Sequence, residues 1–186
     1  MREPRDETIL TVLRERFGLT GQCGAEVGVS FGVLSVKLLE LFPALVLDMI
    51  DRWELPPRRP YSDPIAKRSR QALRKTREEA TRVTEFAAGR RRIVHADSVA
   101  AAAGYADGSL DWVLVDADHS REAVLEDLAA WWPKVRTGGL VLCDDIATRL
   151  GKEWGWGVEE AMNEFCRARG LAWRNLGHGV GVIEKY

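Results

Sequence analysis

The chain has 186 residues, of which 46% are hydrophobic and 30% are charged, and its formal net charge at pH 7 is −1. This length and apolar content suit a single globular domain over residues 1–186 with a sizeable core. No apolar run approaches the roughly 18 residues that cross a bilayer, and the N-terminus is too charged for a secretory signal. We therefore expect a cytoplasmic protein without a membrane partner.

The cysteines and one basic segment bear on partners. Cys23, Cys143 and Cys166 are an odd number without metal-ligand spacing, which predicts buried free thiols. Residues 54–92 carry twelve Lys or Arg against five Asp or Glu, a balance of +7, so the rest of the chain is −8. A solvated helix face explains most such charges. Aromatic residues are nearly absent there, which disfavours a nucleic-acid groove because base stacking needs them.

Apolar residues recur at spacings that are typical of helices and strands in turn. A leading helix within residues 1–20 ends at Gly18, and αβ alternation follows as far as a C-terminal hairpin. In chain order the predicted elements are helix 5–17, strand 25–29, helix 33–42, strand 45–50, helix 65–88, strand 92–95, a short alanine-rich helix, strand 110–115, helix 121–132, strand 140–143, helix 158–169, and strands 171–176 and 180–186.

Strands that alternate with helices predict a parallel sheet covered on both faces, and the closing hairpin adds an antiparallel strand at its edge. In such sheets a ligand lies at the carboxyl ends of the strands. Four carboxylates, Asp51, Asp97, Asp116 and Asp144, follow four of these predicted strands. A single Asp at such a position is more often a helix cap or turn residue. Four together favour a site.

The first strand runs into a glycine-bearing turn with the pattern E-x-G-x-x-x-G, formed by Glu26, Gly28 and Gly32. These glycines let the backbone approach a ligand and let the next helix pack close to the sheet. A dinucleotide fingerprint would need glycine in place of Ser30. Glu26 would also repel a pyrophosphate, so the turn favours a cationic ligand. A purely structural turn is the alternative.

The next two strand ends offer groups for a nucleoside. Asp51 closes the second strand, where a carboxylate can accept two hydrogen bonds from a ribose diol. Asp48 is the alternative, although it falls within the strand. Asp97 and Ser98 follow the third strand at the height expected for a base edge. Asp97 equally suits the cap of the following helix.

In this order, the motifs resemble class I S-adenosylmethionine (AdoMet)-dependent methyltransferases, and among them a bacterial small-molecule group related to catechol and caffeoyl-CoA O-methyltransferases. The resemblance covers about residues 20–186. It implies a Rossmann-like, doubly wound α/β fold with seven mostly parallel strands, and AdoMet contacts from Glu26, Gly28, Asp51, Asp97 and Ser98. We predict that Gly32 and Asp116 belong to the cofactor site as well. The matching stretches are EVGVSFG at 26–32, MIDRW at 49–53, HADS at 95–98, SLDWVLVDADHS at 109–120, GGLVLCDD at 138–145, GVEEA at 157–161 and GHGVGV at 177–182.

A cluster of three carboxylates is expected next to the cofactor. Asp116 ends the fourth strand, and Asp144 and Asp145 end the fifth, which should lie about 5 Å away. Such a cluster needs neutralisation, and oxygen ligands suit Mg²⁺ or another hard divalent cation. Metal-dependent O-methyltransferases carry Asp at the positions of Asp116 and Asp144 but usually Asn at that of Asp145. The departure either tightens a metal or indicates another purpose.

The resemblance also implies catalytic roles for Asp116 and His119. His119 lies three residues beyond Asp116, where the catechol enzymes place a lysine that helps to deprotonate the acceptor. A neutral imidazole can do the same near neutral pH. The alternative is that His119 is a turn residue ahead of a helix capped by Ser120.

The expected reaction is methyl transfer to a small molecule, at an oxygen atom, with a divalent metal as an optional aid. A lid inserted over residues 54–90 would favour an anionic acceptor. Trp154 and Trp156 would wall the acceptor pocket, and ordinary packing is the alternative for both. Metal-free transfer to oxygen or nitrogen and a non-catalytic AdoMet-binding protein are the alternatives. Nucleic acid is not an expected partner, and a homodimer is left open.

Overall fold

The computed structural model describes residues 4–54, 69–148 and 153–186. Within these ranges helices and strands alternate along the chain, and two short 3-10 turns, Glu85–Arg90 and Trp132–Lys134, precede β3 and β5. The elements are α1 (Pro4–Phe17), β1 (Gln22–Val27), α2 (Val33–Leu41), β2 (Leu45–Asp51), α3 (Arg70–Val83), β3 (Arg91–His95), α4 (Ser98–Ala102), β4 (Leu110–Val115), α5 (Arg121–Trp131), β5 (Val135–Cys143), α6 (Val158–Arg169), β6 (Trp173–Gly177) and β7 (Val180–Glu184).

The strands form one seven-stranded sheet in the order β3-β2-β1-β4-β5-β7-β6. The first five strands are parallel, and β7 pairs antiparallel with both β5 and β6. The predicted Rossmann-like fold with a C-terminal antiparallel hairpin is confirmed. From β1 the sheet is built outward through β2 and β3, and the chain then returns to add β4 on the other side of β1. The carboxyl ends of β1 and β4 therefore form the crevice where such folds bind ligands.

Two apolar cores cover the faces of the sheet, and the alternation of side chains along each strand divides its residues between them. In β4, Trp112 and Leu114 enter the core beneath α1 and α2, whereas Val113 and Val115 enter the core beneath α5 and α6. All four side chains are at most 3% exposed. Burial on both faces explains why this strand is a continuous apolar run.

The long helix predicted over 65–88 is shorter in the structure, and residues 65–68 lie outside the described ranges. α3 starts after Ser69, whose hydroxyl accepts a hydrogen bond from the amide of Ala72. It ends at Val83, and the buried hydroxyl of the next residue, Thr84, donates to the carbonyl of Ala80 at 2.7 Å. The chain then tightens into a 3-10 turn before β3.

Several strand boundaries also differ from the prediction. β1 starts at Gln22, three residues early, because this buried polar side chain accepts a hydrogen bond from the indole of Trp112 at 3.0 Å. β5 starts at Val135 rather than residue 140, and β6 is Trp173–Gly177. β1 starts with a polar residue, and polar and glycine residues follow Val135 in β5, so a search for apolar runs misses the first residues of both strands.

All three cysteines are free, as predicted, but only Cys143 and Cys166 are buried. Cys23 is exposed because it occupies the outward position near the start of β1, so the prediction of three buried thiols is wrong for this residue. None of the helices in the described ranges has both the length and the apolar character that a membrane span requires.

The turn after β1 packs unusually close to β4. Gly28 has φ of +98°, and its amide donates to the carbonyl of Ile50 at 2.8 Å. A Cβ atom at this position would lie 1.8 Å from the carbonyl oxygen of Asp116. Glycine is therefore required both by the backbone conformation and by the contact.

We expect Gly28→Ala to lower the free energy of unfolding by about 2–5 kcal/mol, since it adds a steric clash to an unfavourable φ. Gly18→Ala is the matched control, because Gly18 has φ of +67° with nothing within 4 Å of its added Cβ. The control should cost about 1 kcal/mol. Urea denaturation measures both, and equal losses would contradict the close approach.

Candidate active site

A cavity of about 290 Å³ opens at the carboxyl ends of β1, β2 and β4. Its size is near the lower end of ordinary ligand pockets, which are about 300–1,000 Å³. Five of the seven residues predicted to bind the cofactor line it, and Glu26 and Gly32 do not. The five are Gly28, Asp51, Asp97, Ser98 and Asp116.

Asp51 holds the turns on both sides of the cavity. Its Oδ2 accepts a hydrogen bond from the amide of Ser30 at 2.8 Å, and its Oδ1 accepts one from the amide of Trp53 at 2.7 Å. Burial raises the pKa of Asp51, and these hydrogen bonds oppose the rise. The rival residue, Asp48, instead pairs with Arg92 at 2.6 Å and does not line the cavity.

Glu26 and Gly32 support the turn from behind. Glu26 is 2% exposed and accepts a hydrogen bond from the hydroxyl of Ser35 at 2.5 Å. Burial raises the pKa of Glu26 to about 8, against the opposing effect of Ser35. Gly32, with φ of +77°, precedes α2, and a Cβ there would lie 3.1 Å from the Cα of Ala80. These two residues shape the turn and the packing of α3.

Asp97 and Ser98 both line the cavity and both have internal partners. Oδ1 of Asp97 accepts hydrogen bonds from the amides of Val99 and Ala100 at 3.1 and 3.2 Å, so Asp97 is the cap of α4. Its other oxygen pairs with Arg52. The hydroxyl of Ser98 accepts a hydrogen bond from the indole of Trp131 at 2.9 Å.

Asp127 is a residue of the cavity that the sequence reading missed. It lies on α5, is 4% exposed and lines the cavity. Burial raises its pKa to about 7, although a hydrogen bond from Ser98 works in the opposite direction. A signal was available, because Asp127 shares the buried stripe of α5 with Val124, Leu128 and Trp131. An acidic residue on an apolar stripe needs an explanation.

The carboxylate cluster contains a cation that was not predicted. Arg5, on α1, places Nη2 2.5 Å from Oδ2 of Asp116 and Nε 2.5 Å from Oδ2 of Asp144. Burial alone would lower the pKa of Arg5, but the nearby carboxylates together raise it by more than burial lowers it, so the guanidinium stays charged. Asp144 is 2% exposed. Its pKa is raised by burial and by Asp116, and Arg5 opposes that rise.

A second grouping differs from the predicted metal set. Asp116, His119 and Asp145 each offer one ligand atom, and these atoms lie within 4.8 Å of one another. Nε2 of His119 is 3.2 Å from Oδ2 of Asp145 and 3.4 Å from Oδ1 of Asp116. The structure therefore brings Asp116 and Asp145 together with His119, whereas Asp144 faces Arg5.

An aromatic wall covers His119, which is only 8% exposed. Its ring stacks on Trp156 with centroids 4.3 Å apart, and Trp154 meets Trp156 edge-on at 5.3 Å. These are the two tryptophans predicted beside the acceptor. Of the predicted lid over 54–90, residues 55–68 lie outside the described ranges.

The matches to known proteins agree with this geometry. The profile of a methyltransferase domain matches residues 25–146, which span β1 to the end of β5 and include the cavity and the carboxylate cluster. The chain therefore belongs to this methyltransferase family and is an AdoMet-dependent methyltransferase, as its motifs indicated. Among curated proteins, none matches the chain.

Solved structures of low sequence identity share the fold. A protein of Corynebacterium glutamicum is 19% identical with a TM-score of 0.67, over 100% of this chain and 82% of its own. A candidate caffeoyl-CoA O-methyltransferase from Staphylococcus aureus is 13% identical with a TM-score of 0.69, over 100% and 85%. A candidate rRNA methylase from Clostridium thermocellum is 13% identical with a TM-score of 0.66, over 100% of both chains.

The raised pKa of Asp127 makes a prediction for stability. The folded protein keeps this proton up to about pH 7, whereas an unfolded Asp loses it near pH 4. Unfolding therefore releases a proton between these values, and the contribution of Asp127 to stability falls as the pH rises through that window. Asp127→Asn should remove this loss of stability, because an amide does not ionise.

We expect Asp127→Asn to be more stable than the wild type at pH 8 by up to about 4 kcal/mol, with the advantage gone near pH 4. Denaturation curves at several pH values measure the difference. Glu122→Gln is the control, since Glu122 is an exposed residue of the same helix. A difference that is independent of pH would show that Asp127 ionises normally.

Proposed function

We propose that the protein transfers the methyl group of AdoMet to an oxygen atom of a small-molecule acceptor. AdoMet would lie in the cavity, and the acceptor would lie beside Asp116, His119 and Asp145. The observation that carries the proposal is the position of Asp116. This residue lines the cavity and also belongs to the cluster with His119, so the two halves of the site meet at one side chain.

The lining of the cavity fits a cationic cofactor. Seven acidic residues line it, and Arg52 is the basic residue among the described lining. AdoMet carries a sulfonium and an ammonium, which such a lining attracts, whereas the pyrophosphate of a dinucleotide would be repelled. Asp51 would take the ribose, and Asp97 and Ser98 would lie along the base. The acidic residues are Asp51, Glu54, Asp97, Asp116, Asp118, Glu126 and Asp127.

Proton removal is assigned to His119. AdoMet, when bound, would supply the methyl group: the acceptor oxygen would form the new O–C bond, and the electron pair of the S–C bond would stay on sulfur. Nε2 of His119 would take the acceptor's proton, and the carboxylates of Asp116 and Asp145 would stabilise the resulting imidazolium. Stacking on Trp156 holds the ring and excludes water from one of its faces.

A metal-assisted form of the same reaction is the second candidate. It is favoured by the three ligand atoms of Asp116, His119 and Asp145, which lie within 4.8 Å. A set with one imidazole suits a divalent transition metal such as Mn²⁺ better than Mg²⁺, which prefers oxygen ligands. The two forms are mutually exclusive in their use of His119, because a metal-bound Nε2 cannot accept a proton. Full turnover in EDTA would support the metal-free form.

The nature of the acceptor is part of the proposal. A small molecule with an anionic oxygen suits the guanidinium of Arg5 beside the cluster. Incubating metabolite extracts with the protein and AdoMet, and searching for a +14 mass shift, tests the transfer itself. Binding without any methylated product would favour the non-catalytic alternative, and methylated nitrogen would correct the acceptor atom.

Cofactor binding gives the first test of this assignment. We expect saturable binding of S-adenosylhomocysteine (SAH) in titration calorimetry and no saturable signal with NAD. Asp51→Ala should weaken SAH binding by about 1–3 kcal/mol, because the ribose loses a charged acceptor. Asp48→Ala is the matched control on the same strand and should bind as the wild type does. Equal losses in the two variants would place the ribose elsewhere.

Removal of the base gives the second test. His119→Ala should lower the methylation rate about 10²-fold or more while SAH binding is kept, which is the usual size of a general-base contribution. His119→Phe should be equally slow, because it keeps a ring against Trp156 but cannot take a proton. A His119→Phe enzyme with the wild-type rate would restrict His119 to a packing role.

A further inference from the structure

The leading helix contributes a side chain to the acceptor end of the site. α1 is anchored by Ile9 and Leu13, which are fully buried, and by an ion pair between Asp6 and Lys37 of α2. This anchoring fixes the start of the helix above the carboxyl ends of β4 and β5. Arg5 reaches from there to Asp116 and Asp144, with Nη2 and Nε each 2.5 Å from a carboxylate oxygen.

The guanidinium lies between the two carboxylates that would otherwise be the natural ligands of a divalent ion. Asp144 is 2% exposed, so water cannot solvate its carboxylate. A second cation placed between the same oxygens would be repelled by Arg5 and would find both carboxylates already engaged. The cluster therefore has a counterion that is covalently part of the chain.

Arg5 also has N–H groups that neither Asp116 nor Asp144 contacts. A guanidinium carries five N–H groups. Nη2 donates a hydrogen bond to Oδ2 of Asp116, and Nε forms an ion pair with Oδ2 of Asp144. The side chain is 35% exposed, so the remaining donors are open to a ligand. Asp116, which Nη2 of Arg5 contacts, also lines the cofactor cavity, so the guanidinium is one contact away from that cavity.

We propose that Arg5 is the resident cation of the acceptor site, taking the place of a divalent metal: it holds Asp116 and Asp144 and binds the anionic oxygen of the acceptor. This inference rests on the proposed methyl transfer and adds to it a substrate class, acceptors whose reacting or adjacent oxygen is negatively charged. The planar guanidinium matches a carboxylate or phenolate oxygen. Transfer then proceeds without a metal.

The test is the affinity for Mn²⁺, measured by electron paramagnetic resonance on the full chain. Wild-type protein should bind Mn²⁺ weakly. Arg5→Met, which keeps the aliphatic stem but removes the charge, should bind it at least tenfold more tightly, as should Arg5→Ala. Adding Asp144→Ala to Arg5→Met should abolish the gain. Arg14→Ala, an exposed arginine on the same helix, is the matched control and should bind as the wild type does.

SAH calorimetry on each variant separates the outcomes. With SAH binding intact, Mn²⁺ affinity that is equal in the wild type and Arg5→Met would overturn the inference and leave the proposed function standing. A wild-type protein that binds no SAH would overturn both. Turnover adds a second readout: the wild type should keep its rate in EDTA, and Arg5→Met should lose most of it and regain part with Mn²⁺. A wild-type enzyme inactivated by EDTA would also overturn the inference.

Discussion

The contact between Gly28 and the backbone of Asp116 determines where everything else in the site can lie. A side chain at position 28 would lie 1.8 Å from the carbonyl oxygen of Asp116, so only glycine lets the turn after β1 meet the end of β4. The amide of Asp116 also donates to the carbonyl of Val27. This contact brings the cofactor turn and the carboxylate cluster to one point, and methyl transfer requires such proximity between donor and acceptor.

Several carboxyl groups of the site are buried, and a buried charge is unfavourable unless it is neutralised or hydrogen-bonded. The structure compensates these groups in different ways. Glu26 and Asp127 have raised pKa values, about 8 and about 7, because burial disfavours their charge. Asp51 is compensated by the amides of Ser30 and Trp53. Asp144 is compensated by Arg5. Burial raises the pKa of all four carboxyl groups, and the amide hydrogen bonds at Asp51 and the guanidinium of Arg5 at Asp144 oppose that rise.

The strand ends of the fold could be predicted from the sequence, for a simple physical reason. Apolar runs mark strands buried on both faces, and the residue that follows such a run lies at the carboxyl edge. Asp51, Asp97 and Asp116 were located in this way and all line the cavity. The same reasoning explains the fold as a whole, since the seven strands and the hairpin depend on local periodicity and turn chemistry.

Convergence of side chains from distant elements could not be predicted in this way. Arg5 and Asp116 are separated by 111 residues, and their contact depends on how α1 packs on α2. Periodicity identifies the buried face of α1 but not the direction of an arginine at its first turn. Likewise, Asp144 and Asp145 are adjacent in sequence but diverge, because Asp145 has φ of +61° and turns toward His119.

The acceptor end of the site combines one arginine, Arg5, with three carboxylates, and the balance of these charges has a consequence for the ligand. Metal-dependent O-methyltransferases, which the chain resembles, usually carry Asn at the position of Asp145. Here three carboxylates, Asp116, Asp144 and Asp145, face the single positive charge of Arg5, so the cluster keeps a net negative charge. That charge would attract the sulfonium of AdoMet over the neutral thioether of SAH.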